Sequence, residues 1–350
     1  MLRKFVTLAT IVVAPLSMVF SQDSTKKATL NVSGSLDAYY RYNFSNAKDS
    51  LRKNNYTSFT NSQNSFELGM ASLKLDGSIG KVGAVVDLGF GTRAAEFSYN
   101  EGGSLAAVKQ AFLTFAASDK VKFTMGKWGT HVGYEVLDAY LNRNYSMDYM
   151  FSYGPFSHTG LKADITLGAV GIMLGVANPT DYTSASFAKK NFIAQLSGGT
   201  KSGKLKAYLN YVGGKDLSDN SINQVDLVVT GTVTDKFSIG YNGTVKSVKP
   251  SGGSSDSWWG SALYLNVDPT SMFGLTLRGE YFDDKKGVAG FATSIFDATL
   301  SANIRIDNLT IIPEFRLDSA KDPIFYKNSD TNDPTSKSTG SFILAATYHF

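Results

Sequence analysis

The feature that most constrains this chain is a two-residue alternation of apolar and polar side chains. Between residues 30 and 43, aliphatic and aromatic residues occupy one parity, while polar and charged residues occupy most of the other. The pattern returns over 204–211, 237–246, 275–281 and 309–317. Because side chains alternate between faces in a β-strand, each segment predicts a strand with one apolar and one polar face. Charges stand in mid-strand, which the packed core of a β-sandwich would reject.

The last ten residues, 341–350, form the clearest of these segments. The residues of one parity are all apolar: Phe342, Leu344, Ala346, Tyr348 and Phe350. A terminal strand that ends in an aromatic residue resembles the closing strand of bacterial outer-membrane barrels, which the assembly machinery of that membrane recognises. The resemblance implies two partners, the lipid bilayer and that assembly machinery.

The composition suits a barrel of many short strands. Hydrophobic residues make up 43 % of the 350, aromatic residues 13 %, and there are 33 glycines for tight turns. No apolar run of 18 residues follows the N-terminal segment, so no transmembrane helix is expected. A barrel needs only one apolar face per strand, so its hydropathy stays ordinary. Cysteine is absent, which excludes disulfides and thiolate metal sites.

The N-terminus has the pattern of a secretory signal peptide over residues 1–21. Arg3 and Lys4 precede an apolar stretch that ends at small and medium-sized residues. We expect a polar leader over 22–28 and the barrel over 29–350. Removing the signal peptide leaves 32 basic and 30 acidic residues. No basic stripe indicates binding of nucleic acid.

Short turns and long loops alternate along the chain and together predict sixteen strands. Short turns are expected near 77–81, 118–120, 168–170, 199–204, 234–236, 268–271 and 307–308, and long loops at 45–64, 92–104, 128–157, 179–188, 214–222, 247–256, 283–290 and 319–339. Both termini fall on the short-turn side, which is typical of outer-membrane barrels with periplasmic turns and external loops. Sixteen strands enclose an aqueous channel, whereas about eight would fill with side chains.

One predicted strand, 66–79, changes its parity. Its apolar residues are even-numbered as far as Met70 and odd-numbered from Leu73. A β-bulge near Ala71 would produce the change. Membrane contact that begins only at Ala71 would produce it too, and both explanations stay open here.

Sequence motifs typical of soluble enzymes are weak or absent in this chain. Residues 89–94 match GxGxxA, but a dinucleotide site requires a helix to follow, and a polar loop is expected over 96–103. His131, His158 and His349 are the three histidines, and they lack the spacing of a metal site. We expect structural roles for His158 and His349. No catalytic residue, cofactor or metal is therefore predicted.

The longest predicted connection, 128–157, is rich in aromatic residues. These are Tyr134, Tyr140, Tyr145, Tyr149, Phe151, Tyr153 and Phe156. Long loops without strands or helices are uncommon and usually functional. So many aromatic residues predict a loop that folds inward and packs inside the barrel.

Short motifs around this loop resemble the signature of the OmpL-like outer-membrane β-barrel porins. The motifs are Gly126-Lys127-Trp128, Gly133-Tyr134-Glu135, Asn144-Tyr145-Ser146, Tyr153-Gly154-Pro155-Phe156 and His158-Thr159-Gly160, together with Lys109-Gln110-Ala111-Phe112. The resemblance implies a general diffusion channel, without a cofactor or catalytic residues. It also implies that the third long loop constricts the pore.

Charged residues of this segment and of the polar strand faces are the candidate site residues. The candidates for the constriction are Lys127, Glu135, Asp138, Arg143 and Asp148. The candidates for the pore wall are Asp37, Arg41, Lys206, Arg278, Glu280, Glu314 and Arg316. Opposed carboxylates and basic groups would select solutes by their field. The alternative for each loop charge is that it faces external water, whereas a wall charge facing lipid would cost ~2–4 kcal/mol.

The sequence thus predicts a transmembrane antiparallel β-barrel of sixteen strands in a Gram-negative outer membrane, acting as a passive pore for small hydrophilic solutes and ions. Two alternatives stay open. One is a barrel lipid hydrolase that uses a Ser–His pair. The other is a surface adhesin or assembly anchor that acts through loops 45–64 and 319–339. Porins of this size are often trimers, so a homotrimer is a further expectation.

Overall fold

The structure is a closed antiparallel barrel of sixteen strands, as predicted. Each strand pairs with its neighbours in sequence, and the last strand closes the barrel against the first. The computed structural model describes residues 27–47, 53–328, 330 and 332–350. The predicted signal peptide, 1–21, lies outside the described residues, as does most of the leader.

The strands follow one another around the barrel in chain order. They are β1 (Ala28–Asn43), β2 (Ser65–Ile79), β3 (Val82–Phe90), β4 (Val108–Ser118), β5 (Val121–Gly129), β6 (Ser157–Leu167), β7 (Val170–Ala177), β8 (Asn191–Gly199), β9 (Leu205–Lys215), β10 (Ser221–Thr234), β11 (Phe237–Lys249), β12 (Asp256–Val267), β13 (Phe273–Asp283), β14 (Ser294–Ile306), β15 (Leu309–Ala320) and β16 (Ser338–His349). Two short α-helices, α1 (Thr92–Phe97) and α2 (Tyr149–Ser152), and two 3-10 turns (Gly103–Ala107 and Ala139–Leu141) lie in the loops. Among the described residues, no helix has the length and hydrophobicity needed to cross a membrane.

The alternation of the sequence becomes a division between lipid and lumen. In β1, Leu36 is 46 % exposed on the outer face, whereas Asp37 and Arg41 are 3 % and 2 % exposed on the inner face. Most exposed large apolar side chains of the other strands lie on the outer face as well, such as Leu209, Leu263 and Leu300, whereas others, such as Ile193 and Ile343, are buried inside. A soluble protein has the opposite arrangement, so this burial pattern fits a wall surrounded by lipid.

The terminal residue takes part in closing the barrel. The backbone N–H of Phe350 donates to the carbonyl of Gly34 at 3.0 Å, and the N–H of Gly34 donates to the carbonyl of Phe350 at 3.1 Å. A Cβ at Gly34 would lie 2.7 Å from the Phe350 ring and 2.7 Å from the carbonyl oxygen of Ser72. Only glycine therefore fits at this point of the seam.

The parity change in β2 is a β-bulge at Gly69. In the pairing of β1 with β2, Asp37 lies opposite Met70 and Ala38 lies opposite Leu68, which leaves Gly69 as the extra residue. A Cβ at Gly69 would lie 1.8 Å from a carboxylate oxygen of Asp37. The bulge therefore needs a glycine, and it occurs two residues before the expected position.

Loop boundaries differ from the predicted ones where tertiary contacts decide them. The polar loop expected over 96–103 begins inside α1, whose start lacks a side-chain cap and which buries Arg93, Ala94 and Phe97. Packing of these side chains, not the local helical propensity, stabilises so short a helix. Strands β9, β10 and β11 each extend beyond their predicted ends.

Candidate functional site

The inner loop, residues 130–156, connects β5 to β6 and folds into the lumen. Near the short-turn end of the barrel, the ring of Tyr140 stacks on His349 of β16, with 4.8 Å between ring centroids. Near the long-loop end, Phe156 contacts the ring of Tyr99 at 6.1 Å. The loop therefore reaches through much of the depth of the barrel.

Two wall glutamates hold the backbone of the inner loop. Glu314 of β15 accepts the N–H groups of Tyr145 and Ser146 at 2.7 and 3.0 Å. Glu280 of β13 does the same for Tyr149 and the residue after it, at 2.7 and 2.9 Å. Hydrogen bonds to a carboxylate are about twice as strong as neutral ones, so each glutamate fixes one stretch of the loop to the wall.

A chain of ion pairs crosses β13, β14 and β15 beneath the loop. The Nη1 of Arg278 lies 2.6 Å from Oε1 of Glu135, and its Nη2 lies 2.8 Å from Asp297. Arg316 lies 3.1 Å from Asp297 and 2.7 Å from Asp318. Glu135 is the member of this chain that the inner loop contributes.

Glu135 and Asp148 lie close together although both are acidic. The N–H of Asp148 donates to Glu135 at 2.8 Å. The hydroxyl of Tyr264 donates to Asp148 at 2.7 Å and lies 3.2 Å from Glu135. Burial raises the pKa of Glu135 to about 8; Arg278 opposes this rise and the charge of Asp148 adds to it. The protein therefore raises the pKa of Glu135 above its ordinary value, even though Arg278 lies beside it.

Arg93 of α1 joins the external loops to the inner loop. Its guanidinium lies between the rings of Phe59 and Tyr145, 4.9 and 4.8 Å from their centroids. It donates to the carbonyl of Leu137 at 3.1 Å, and its Nε lies 3.7 Å from Asp37 of the wall. One buried cation of the second external loop thus contacts the first external loop, the inner loop and the barrel wall.

Carboxylates also hold both ends of the inner loop. Asp226 of β10 accepts the N–H of Gly133 at 3.0 Å. Asp181, in the loop after β7, accepts the N–H groups of Phe156 and Ser157 at 2.7 Å each. Burial raises the pKa of Asp181 to about 6, although these backbone donors oppose the rise.

The residues predicted for the constriction have different surroundings. Glu135 and Asp148 are buried under the loop, as described above. Lys127 lies in β5 with its Nζ 5.7 Å from the centre of the Phe97 ring. Asp138 pairs with Lys109 at 2.5 Å. Arg143 and its partner Asp268 are 2.9 Å apart, with side chains 25 % and 32 % exposed.

The residues predicted for the pore wall all face the interior. Arg41 donates to three carbonyl oxygens of the first external loop, those of Lys53, Asn54 and Ser62. Asp37, Arg278, Glu280, Glu314 and Arg316 contact the inner loop or α1. Lys206 differs from them because its side chain is exposed in an open part of the lumen.

Other residues of the buried network were not predicted. Asp297, Asp318 and Asp226 lie in β14, β15 and β10 on the polar parity, so the rule that selected Arg278 could have selected them too. Arg93 lies in a loop segment, where no periodicity indicates which way a side chain points. Its partners come from distant parts of the chain and follow only from the fold.

Four cavities follow one another along the open side of the inner loop. The external cavity, about 470 Å³, lies among the long loops. The central cavity, about 280 Å³, shares Phe156 with it. The lower cavity, about 360 Å³, meets the central one at His131 and Gly133. The periplasmic cavity, about 260 Å³, shares Lys206 and Tyr208 with the lower one and opens among the short turns.

The histidines near these cavities make structural contacts. His158 Nε2 lies 3.1 Å from the hydroxyl of Thr130, and His131 Nε2 lies 3.3 Å from the carbonyl of Tyr211. Burial lowers the pKa of His131 to about 4. Within the described ranges, no group of three or more His, Cys, Asp or Glu side chains is arranged to hold a metal ion.

Comparison with known proteins identifies relatives of this barrel. Residues 29–350 match the family described as beta-barrel porin-2, OmpL-like. No curated protein sequence matches the chain. The outer-membrane channel DcaP of Acinetobacter baumannii has a TM-score of 0.64 at 13 % identity, covering 92 % of this chain and 97 % of its own. The anion-selective porin of Comamonas acidovorans has a TM-score of 0.62 at 11 % identity, and the match covers 93 % of this chain and 100 % of that porin. OmpT of Vibrio cholerae, in a trimer form, has a TM-score of 0.61 at 12 % identity, and the match covers 92 % of this chain and 99 % of OmpT.

Proposed function

The chain belongs to the OmpL-like family of β-barrel porins and is an outer-membrane diffusion channel, and we propose the route by which small hydrophilic solutes and ions cross it. The route passes through the external, central, lower and periplasmic cavities in that order. Besides the inner loop, β4 and the end of β5 line the central cavity, and β8 to β10 line the lower one. The observation behind this proposal is the sharing of lining residues between each cavity and the next.

The opposite side of the lumen supports the proposal, because there the inner loop packs directly against the barrel wall. There the loop is held by Glu280, Glu314 and Arg278 through short hydrogen bonds and ion pairs. Nothing in that contact leaves room for a solute, since Glu280 and Arg278 are fully buried. The open side is lined instead by side chains such as Gln195 and Tyr208, which can exchange hydrogen bonds with passing solutes.

The charged residues then divide into two groups. Glu135 and Asp148 are proposed to set the width of the constriction by holding the loop to the wall. Asp138 keeps a partly exposed side chain in the lining of the central cavity and is proposed to meet solutes directly. Arg143 is also partly exposed, but it lines none of the four cavities and is assigned to neither group. Lys127 is assigned to the first group because it is 3 % exposed and lies against Phe97.

The absence of cysteine from the natural chain allows a direct test of the route. Single cysteines replace Val136 in the central cavity, Tyr208 in the lower cavity and Thr230 beside it. A charged, membrane-impermeant methanethiosulfonate reagent is then added during single-channel recording in a planar bilayer. We expect each variant to show a stepwise fall in conductance as its thiol reacts.

Leu209→Cys is the matched control for Tyr208→Cys. Leu209 is the next residue of β9 and points outward, 48 % exposed to lipid. A charged reagent does not enter the lipid, so this variant should keep its conductance. Full conductance of the Tyr208, Thr230 and Val136 variants after proven labelling would contradict the route, as would an equal block of Leu209→Cys.

We propose that the barrel has no hydrolase activity and that its histidines only support the structure. His158 contacts a threonine hydroxyl, and His131 contacts a backbone carbonyl. An ester or phospholipid hydrolysis assay of the refolded protein tests this. Activity that disappears in His158→Ala, with conductance unchanged, would favour the enzyme alternative.

We propose a homotrimer as the assembly in the membrane. OmpT of Vibrio cholerae, a structural neighbour, has a trimer form. In this chain β5, β7 and β8 have 9, 8 and 9 residues, whereas β10 has 14. At a tilt of about 40° eight or nine residues rise roughly 20–23 Å, short of the ~25 Å apolar band. A neighbouring protomer would cover this low wall. Native mass measurement after mild extraction should give three chains, and a single chain would contradict the proposal.

A further inference from the structure

The two ends of the proposed route carry fixed charges of opposite sign. Three carboxylates, those of Glu96, Asp181 and Asp216, line the external cavity, together with one ammonium group, that of Lys246. The lower and periplasmic cavities are lined by one ammonium group, that of Lys206, and by no carboxylate.

The charges of the external cavity are not neutralised by ion pairs. Glu96 accepts the N–H of Phe59 at 2.9 Å, and Asp181 accepts backbone N–H groups of the inner loop. Lys246 donates to the carbonyl of Tyr153 at 3.0 Å. In the part of the chain that the structure describes, neither Glu96, Asp181, Asp216 nor Lys246 lies within 4.0 Å of an oppositely charged side chain.

Charges of both signs stand in the walls beside the lower cavity. Asp226 of β10 accepts from Gly133 at 3.0 Å and from Asn210 at 2.7 Å, and both of these residues line the cavity. Lys122 of β5 shares the inward parity of buried Thr124 and lies opposite Asp164 of β6 in the strand register. Lys162 of β6 pairs with the same Asp164 at 3.3 Å. Two lysines thus share one carboxylate here, while Lys206 on β9 has none.

Between the two ends, the charges of the constriction are largely paired. Lys109 lies 3.2 Å from Asp87 and 2.5 Å from Asp138. Arg278 pairs with Glu135 under the loop. Lys127 and Asp226 are buried beside the route and have no ion pair among the described residues. The unpaired charged side chains that line the cavities themselves stand at the two ends, and the net charge of the two ends differs in sign.

We propose that this porin is a bipolar, rectifying channel, with a negative external mouth and a positive periplasmic mouth. This inference rests on the proposed route. When the external side is positive, cations enter past the carboxylates and anions enter past Lys206, so both kinds of ion accumulate in the pore. The opposite voltage draws both out of the pore and lowers its conductance. Fixed charges act on ions over about a Debye length, ~10 Å at 0.1 M salt and ~3 Å at 1 M.

Current–voltage curves of single channels test this at pH 8 in symmetric KCl. At 0.1 M KCl we expect the current at 100 mV with the external side positive to exceed the current at the opposite voltage by roughly 1.5-fold or more. At 1 M KCl we expect the ratio of the two currents to be about one, because the Debye length there is ~3 Å. Orientation is established with Asn100→Cys, at the external cavity, which an impermeant thiol reagent should reach from one side only.

Lys206→Glu is the decisive variant, since its side chain is exposed and its replacement should not disturb folding. It should bring the ratio at 0.1 M to about one and shift the reversal potential in a KCl gradient towards cation preference, because both mouths are then negative. Lys81→Glu is the matched control. Lys81 is exposed in the short turn between β2 and β3, whose residues line none of these cavities, so this variant should keep most of the rectification.

Two results would overturn the inference. One is a symmetric current of the unmodified channel at 0.1 M KCl. The other is an unchanged current ratio in Lys206→Glu. Thiol block of Tyr208→Cys distinguishes this failure from failure of the route. If the thiol reagent blocks Tyr208→Cys and the current of the unmodified channel is symmetric, only the bipolar inference is contradicted. If the reagent does not block Tyr208→Cys, the proposed route is contradicted as well.

Discussion

Arg278 of the barrel wall and Glu135 of the inner loop form a fully buried ion pair, with 2.6 Å between Nη1 and Oε1. The same guanidinium reaches Asp297 and the backbone carbonyl of Ser146. A charge at this depth requires partners, because an unpaired buried ion costs several kcal/mol. The pair therefore joins the inner loop to β13 at one position in the lumen.

Replacing Arg278 should release the loop. Arg278→Ala leaves Glu135 and Asp297 without their partner, and breaking such a buried pair costs about 3–5 kcal/mol. We expect a lower urea midpoint in liposomes and a noisier, larger single-channel conductance. Arg143→Gln is the control: its pair with Asp268 is partly exposed and is worth about 1 kcal/mol or less. Equal effects of the two substitutions would contradict the proposed anchoring.

Arg93 should connect the external loops to the constriction. A cation between two aromatic rings is stabilised by about 0.5–2 kcal/mol, and Arg93 also donates to the inner-loop backbone. Arg93→Ala is expected to expose the first external loop and the inner loop to protease and to raise the single-channel conductance. Arg93→Lys should restore part of the cation–ring contact but not the fork-shaped hydrogen bonds. The measurements are limited proteolysis in liposomes and single-channel recording, and resistance of Arg93→Ala equal to that of the unmodified protein would refute the connection.

The raised pKa of Glu135 predicts a dependence of stability on pH. A carboxyl group whose pKa rises to about 8 on folding binds its proton more tightly in the folded protein than in the unfolded chain. Its favourable contribution is thus complete below its ordinary value near 4.5 and is lost as the pH rises towards 8. Between pH 7 and 9, above the pKa of Asp181, we expect the urea midpoint to fall. Glu135→Gln should flatten this part of the curve, and an unchanged slope would show that another group titrates there.

Gly34 should be essential for closing the barrel. Gly34→Val places side-chain atoms against the Phe350 ring and the carbonyl of Ser72, since each would lie only 2.7 Å from a Cβ atom at this position. We expect less folded protein, measured as the fraction that shifts in gel mobility on heating. Gly102→Val is the control, because a Cβ there meets no atom within 4 Å. Normal folding of Gly34→Val would contradict the close packing of this seam.

Most of the barrel follows from the sequence because period-two alternation is local. The inward and outward faces and the wall residues such as Glu280 and Glu314 derive from it, and the number of strands follows from the alternation of short turns and long loops. The position of the bulge did not, since Gly69 is selected by its contact with Asp37 across the strand pair. The surroundings of the charged residues in the inner loop were harder still to predict. Alternation cannot tell that Glu135 lies buried on Arg278 while Arg143 stays partly exposed, because both depend on the path of the loop through the lumen.

Single-channel conductance of the refolded protein in a planar bilayer is the sharpest test of an open route beside the inner loop. We predict stable open steps, because the loop is held to one side of the lumen and leaves a connected series of cavities on the other. Folded protein that shifts in gel mobility on heating but never conducts would contradict this prediction. The inner loop would then close the barrel, and the adhesin, anchor or hydrolase alternatives would take the place of the channel.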